Sequence, residues 1–158
     1  MRCAIIVLIA SVFLASDAQA SEPRGFVSQI DGQFRGCAHG RLYPLTTPQK
    51  VLRCQESKTY TQFMPYIVVT GNDRLAIEDE IYNASVINGD SMKTNINDEF
   101  NGCDYGKRYV LDNDLILECK SYKYSYSYRP QAVLVTDGIK TVAIIGGDEY
   151  EVSLFRRN

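Results

Sequence analysis

The chain reads as an all-β protein of two tandem small antiparallel β-barrels, SH3-like or OB-like, with one disulfide inside each repeat. Three observations carry that reading. One phrase occurs twice: Phe34-x-Gly36-Cys37-x-x-Gly40-x-x-Tyr43-x-Leu45 returns 66 positions later as Phe100-x-Gly102-Cys103-x-x-Gly106-x-x-Tyr109-x-Leu111. Each copy then runs to Leu-x-Cys, ending at Cys54 and Cys119, and to a proline, Pro65 and Pro130. Self-similarity at this period marks a duplicated supersecondary unit. Tyrosine and β-branched residues fill the periodic segments, and Gly, Asn and Asp punctuate them at intervals of about ten residues, the pattern of strands and turns. No stretch beyond the leader carries apolar residues at i, i+3, i+4 and i+7 over three turns, so no helix is expected.

Residues 1–20 read as a signal peptide. Arg2 is a minimal positive region, Ala4 to Ala15 is an apolar run, and Ala18-Gln19-Ala20 offers the small-x-small pattern that a signal peptidase cleaves. At about twelve residues the run is short of the roughly twenty that span a bilayer, so no membrane anchor is expected to remain. The expected product is periplasmic or secreted and begins at Ser21. Residues 21–88 then form the first barrel repeat and residues 89–158 the second.

In the first repeat, strands are expected at Phe26 to Gly36, Leu42 to Leu45, Val51 to Phe63, Ile67 to Thr70, Leu75 to Ile77 and Ile81 to Ile87, with a hairpin turn at Gly71-Asn72-Asp73. The second follows with Thr94 to Gly102, Arg108 to Leu111, Leu115 to Tyr128, Ala132 to Thr136, Lys140 to Ile145 and Tyr150 to Arg156. Asp112-Asn113-Asp114 and Asp137-Gly138 supply turns, since Asn, Asp and Gly tolerate left-handed backbone angles. Closing so short a sheet into a barrel protects its edges. The joint between repeats falls near Asn83 to Thr94, with Asn88-Gly89-Asp90-Ser91 its most turn-like part. It is too short for a free linker, so the barrels should touch. Phe34, Phe100, Leu45 and Leu111 should point into the cores, and Gly36 and Gly102 should permit a bend or a close backbone approach.

Four cysteines remain beyond the leader, two per repeat. An even number in an exported chain favours disulfides, and repeat symmetry selects Cys37 with Cys54 and Cys103 with Cys119. Zinc is the competing use, but the chain has no Cys-x-x-Cys pair and a single histidine, His39. No metal or other cofactor is expected. The mature basic and acidic residues number 16 and 18, which removes the electrostatic footprint of a nucleic-acid binder. Glu78-Asp79-Glu80 and Asp148-Glu149-Tyr150-Glu151 stand at matching places; they read as solvated turns or strand ends, with a cation site as the alternative.

One feature exceeds the needs of a scaffold. Tyr122, Tyr124, Tyr126 and Tyr128 alternate with Lys123, Ser125 and Ser127, which in an extended chain puts four phenols on one face. The first repeat has Ser57, Thr59, Thr61 and Phe63 at the matching places. Two readings stand: aromatics packed into a barrel wall, or a recognition surface for a glycan or peptide, since tyrosine rings stack while their hydroxyls bond. Lys123 joins the four tyrosines as a candidate ligand-binding residue. No catalytic constellation accompanies them: His39 has Tyr105 as its repeat counterpart, and disulfides consume the thiolates.

The phrase from Asn97 to Tyr109, followed by Leu111, Cys119 and Tyr122-Lys-Tyr-Ser-Tyr-Ser-Tyr-Arg-Pro130, resembles a group of small, largely uncharacterised bacterial proteins. Their repeat reads Ile-Asp-Gly-Glu-Phe-x-Gly, then Tyr-x-Leu-x-Asn-Gly, then a Tyr-x-Tyr-x-Tyr strand and a proline. The resemblance implies an SH3-like barrel and brings no established activity. It covers Ile96 to Phe155 well and Ile30 to Tyr82 less well, departing at Thr46-Thr47-Pro48, where the turn is one residue longer. The expected function is a non-catalytic exported binding module that recognises a protein, peptide or glycan of the cell envelope through the tyrosines of the second repeat. The alternatives are an inhibitor or immunity protein that blocks a secreted or periplasmic enzyme, and a structural component of a surface assembly.

Overall fold

The computed structural model describes residues 25–60, 62–70 and 74–157; the leader, Thr61 and the Gly71-Asn72-Asp73 turn lie outside them. Among the described residues each repeat contributes eight strands in the same order. The first repeat has β1 (Phe26–Gln29), β2 (Gln33–Phe34), β3 (Leu42–Pro44), β4 (Lys50–Cys54), β5 (Gln62–Phe63), β6 (Tyr66–Thr70), β7 (Arg74–Ile77) and β8 (Glu80–Asn88). The second has β9 (Asp90–Asn95), β10 (Glu99–Phe100), β11 (Arg108–Val110), β12 (Leu115–Cys119), β13 (Ser127–Tyr128), β14 (Gln131–Thr136), β15 (Thr141–Ile145) and β16 (Asp148–Arg156). The sheets run β1-β6-β7-β8-β4-β3 and β9-β14-β15-β16-β12-β11, all antiparallel, with β2-β5 and β10-β13 as matching two-stranded additions.

Both sheets curl until their edges meet. Ile30 bridges Leu45 at the end of β1, and Ile96 bridges Leu111 at the end of β9. In the first repeat the Asp31 N–H donates to Pro44 O at 2.8 Å, and the Thr46 N–H to Gln29 O at 2.9 Å. The same two bonds recur from Asn97 to Val110 and from Asp112 to Asn95. The architecture is thus the expected pair of small curled barrels. Cys37–Cys54 and Cys103–Cys119 are the two disulfides, one per repeat.

Each core is built on one phenylalanine. Phe34 lies 5.1 Å from the Tyr43 ring and meets Tyr82 edge-on at 5.3 Å; Phe100 repeats both contacts, with Tyr109 at 5.0 Å and Tyr150 at 5.2 Å. Edge-to-face geometry suits the quadrupoles of the rings. The repeated tyrosine reaches back to the glycine before the cysteine, with Tyr43 Oη donating to Gly36 O at 2.6 Å and Tyr109 Oη to Gly102 O. Leu45 and Leu111 are buried beside them. The Phe-x-Gly-Cys…Tyr-x-Leu phrase therefore encodes one ring-and-hydroxyl brace per barrel.

Three expected strands are longer on paper than in the fold. Phe26 to Gly36 breaks between β1 and β2, where the chain turns at Gly32. Val51 to Phe63 and Leu115 to Tyr128 leave the sheet at Cys54 and Cys119. After those cysteines the chain crosses the barrel end, bridged to it at Lys58 and Lys123. Thr94 to Gly102 in turn begins four residues early as β9 and breaks before β10. The joint thereby shrinks to Gly89 between β8 and β9. A Cβ there would sit 2.3 Å from Thr136 O and 2.7 Å from Val51 Cγ2, so the crossing is tight enough to need a glycine.

The barrels touch through a core of their own. Leu42 and Val51 of the first are buried against Val135 and Val142 of the second, flanked by Ile87, Val133 and Ile144. Arg53 pairs with Asp137, whose side chain is 2 % exposed, and Lys93 pairs with Asp31 at 2.7 Å. Lys140 Nζ donates to Gly40 O at 2.6 Å.

Candidate functional site

The tyrosine row is laid over the second barrel by three ties. Lys120 N–H donates to Glu151 O at 2.8 Å as the chain leaves β12. Cys103 and Lys123 then exchange backbone bonds of 2.9 and 3.0 Å. Finally Ser127 and Tyr128 pair with Phe100 and Glu99. Between these ties the chain presses onto Gly102: a Cβ on that residue would come 2.6 Å from Lys123 O and 2.8 Å from Ser125 N. With φ at +77°, Gly102 sits where L side chains rarely go and where no side chain would fit.

The side chains of that segment are in water. Tyr122, Tyr124, Tyr126 and Tyr128 are 71, 78, 61 and 69 % exposed, so the packed-wall reading does not describe them. The Glu99 carboxylate, first as an acceptor for the Tyr126 hydroxyl and then as a charge, holds the Tyr126 pKa above the ordinary phenol value, with slight desolvation and the neighbouring phenols of Tyr124 and Tyr128 adding to it. Arg129 adds a guanidinium 5.8 Å from the Tyr128 ring. Lys123 is placed differently. It pairs with Asp148 at 2.8 Å and lies 5.4 Å over the Tyr150 ring, a lip over the core and not a member of the row.

The first repeat shows what the scaffold requires. Cys37 and Lys58 exchange bonds of 2.7 and 2.8 Å, and a Cβ on Gly36 would meet Lys58 O at 2.0 Å. Lys58 pairs with Glu80 and lies 5.0 Å over the Tyr82 ring. Backbone path, glycine and lysine lip are all repeated, yet Ser57 and Thr59 stand where the second repeat has Tyr122 and Tyr124. Thr61 and the Phe63 side chain lie outside the described residues. At the place of Ser125 the first repeat has Tyr60, whose ring turns toward Phe34 and whose hydroxyl donates to Glu78 at 2.6 Å. Large exposed aromatics are not needed to lay this segment down.

A concavity of about 420 Å³ lies between the barrels. No motif pointed to it, because its walls come from both repeats and exist only once the repeats dock. His39 is exposed, with Nδ1 3.1 Å from Gln55 O. Among the described residues no three His, Cys, Asp or Glu side chains converge as a metal site would require. Comparison with protein families, with curated proteins and with solved structures found no match to this chain.

Proposed function

We propose that this protein is a non-catalytic exported binding module that holds a glycan or peptide strand of the cell envelope on Tyr122, Tyr124, Tyr126 and Tyr128. The observation that supports the reading most is the contrast between repeats: the same ties to the barrel end carry Ser57 and Thr59 in one and the solvent-facing phenols of Tyr122 and Tyr124, continued by Tyr126 and Tyr128, in the other. Exposed aromatic surface is costly in water and is kept where a partner covers it. Each phenol offers a ring face for stacking on a sugar or a proline and a hydroxyl for hydrogen bonding. An extended row suits an extended ligand. The ties to Cys103, Phe100 and Glu99 hold the row in place before the ligand arrives, so little chain entropy remains to be lost on binding. Two disulfides in so small a β protein fit an oxidising location, and cleavage after Ala20 would deliver the chain to one.

Co-sedimentation with isolated cell envelopes tests the reading. The oxidised protein should pellet with them, and the double variant Tyr124→Ala, Tyr126→Ala should stay in the supernatant. Prior digestion of the envelopes with a glycan hydrolase or with a protease identifies which polymer is bound. Wild-type pelleting by the double variant would remove the row from the site.

A further inference from the structure

The cleft between the barrels has the volume of a small-ligand site, about 420 Å³. Ile30, Leu42 and Tyr43 line it from the first repeat, Val133 and Ile144 from the second, and the turn holding Gly146 and Gly147 forms one rim. Four charged side chains also line it: Asp31, Arg35, Arg41 and Glu149. Three of them have ionic partners. Asp31 is paired with Lys93 at 2.7 Å. Glu149 lies 3.6 Å from Arg41 and 3.9 Å from Lys140, and burial pushes its carboxyl up against the pull of those two cations.

Arg35 is the exception. Its Nε donates to Gln33 Oε1 at 2.8 Å, and among the described residues no carboxylate lies within ion-pairing distance of it. The guanidinium rests on the rim of the other barrel: a Cβ on Gly147, at φ +84°, would stand 2.5 Å from Nη2 and 2.7 Å from Cζ. A side chain there would displace the guanidinium. The scaffold does not ask for an arginine at this position either, since its counterpart in the second repeat is Asn101, which accepts from the Tyr109 hydroxyl at 2.9 Å and from Lys107. A guanidinium with no carboxylate partner among the described residues has thus been carried to the mouth of a cleft whose other charges are already paired.

We propose that this cleft is a second binding site, for a single carboxylate carried on a small apolar body. The planar Nη pair of Arg35 matches a carboxylate in a two-bonded fork. Val133 and Ile144, only partly buried, take the apolar part. One guanidinium without an ionic partner balances one negative charge, which favours a monoanionic carboxylate over a dianionic phosphate. The carboxylate belongs either to a free small acid or to the C-terminal residue of a peptide; both present the same group to Arg35.

Titration of the full, oxidised protein followed by amide and methyl NMR decides the matter, with N-acetyl-leucine, its amide, and a short peptide ending in leucine as probes. N-acetyl-leucine should shift the Gly146 and Gly147 amides and the Val133 and Ile144 methyls. N-acetyl-leucinamide should bind at least about tenfold more weakly, the worth of one charge-assisted pair. Arg35→Gln should cost the acid the same factor, whereas Tyr124→Ala should cost nothing. A peptide that binds more tightly than N-acetyl-leucine points to a C-terminus as the source, and equal affinity points to a free acid. Equal binding of acid and amide, an unchanged Arg35→Gln variant, shifts confined to other residues, or no shift up to about 20 mM ligand would each overturn the proposal. Arg35 is exposed, so its variant should keep the wild-type spectrum; should Arg35→Gln lose it, the acid-to-amide ratio on the wild-type protein still decides.

Discussion

Gly102→Ala should unfold the second barrel far more easily than Gly106→Ala, although the two glycines have nearly the same backbone angle, φ +77° and +78°. Both substitutions force an L residue into the left-handed region, at about 1–2 kcal/mol. At Gly106 nothing lies within 4 Å of the new methyl group, so the cost ends there. At Gly102 the methyl would stand 2.6 Å from Lys123 O, 2.8 Å from Ser125 N and 3.0 Å from Tyr124 Cα, all of them backbone. The segment must lift, and the reciprocal Cys103–Lys123 bonds of 2.9 and 3.0 Å go with it. At about 1 kcal/mol for each bond, Gly102→Ala should cost about 2 kcal/mol more than its control. Urea unfolding followed by far-UV circular dichroism measures both, because the strands report directly and the chain has no tryptophan. Equal losses would refute the view that this glycine exists to admit the tyrosine segment. Gly36→Ala should behave like Gly102→Ala, since its methyl would meet Lys58 O at 2.0 Å.

Replacing Cys103 and Cys119 by alanine should cost about 3 kcal/mol for a loop of 16 residues, and the Cys37, Cys54 pair should cost a similar amount; a urea midpoint that ignores either change would show that bond to be idle. Tyr124→Ala should leave the urea midpoint unmoved while weakening envelope binding, which separates recognition from folding in one variant. Arg53→Ala strips the nearly buried Asp137 carboxylate of its cation and should cost about 1–3 kcal/mol, read as a lower unfolding midpoint. Asp137 also sets an acid limit on the joint. Burial opposes its ionisation, but the Lys140 and Ile139 N–H groups and the Arg53 guanidinium outweigh burial and hold its pKa below the ordinary 3.8. A lowered carboxylate contributes stability above its unfolded pKa and loses it as the pH falls through the folded one. The joint should therefore weaken below about pH 4, and Asp137→Asn should flatten that limb of a urea-midpoint titration.

The parts of this fold that a sequence spells out are those that recur. Glycine before cysteine, tyrosine six residues after that cysteine and cysteine again after Leu-x pointed to a duplicated unit with its own disulfide. The reason lies in the fold: one hydroxyl brace and one glycine contact per barrel. Strand ends were harder to read. Tyr122 to Tyr128 alternates as a laddered strand would, yet alternation reports only an extended chain with two different faces. It is blind to whether a neighbour supplies the ladder, and here Lys123, Ser127 and Tyr128 alone find one. The start of β9 is hidden in the sequence for the opposite reason. Asp90, Ser91, Met92 and Lys93 are exposed, so no buried residue marked the strand until Thr94, although all four pair with β14. The cleft had no signal at all, since Arg35 and Gly147 meet only through docking of the two barrels.

The joint between the barrels is lopsided. The first barrel offers Leu42 of β3 and Val51 of β4, and the second Val135 of β14 and Val142 of β15. Extending the same joint to a third unit would put Arg108 where Leu42 now sits, or Arg74 where Val142 now sits, as the ladder registers dictate. A further copy added head to tail would bring those two arginines together in a dry seam. Repeating this joint would therefore set two charges where the existing seam is aliphatic.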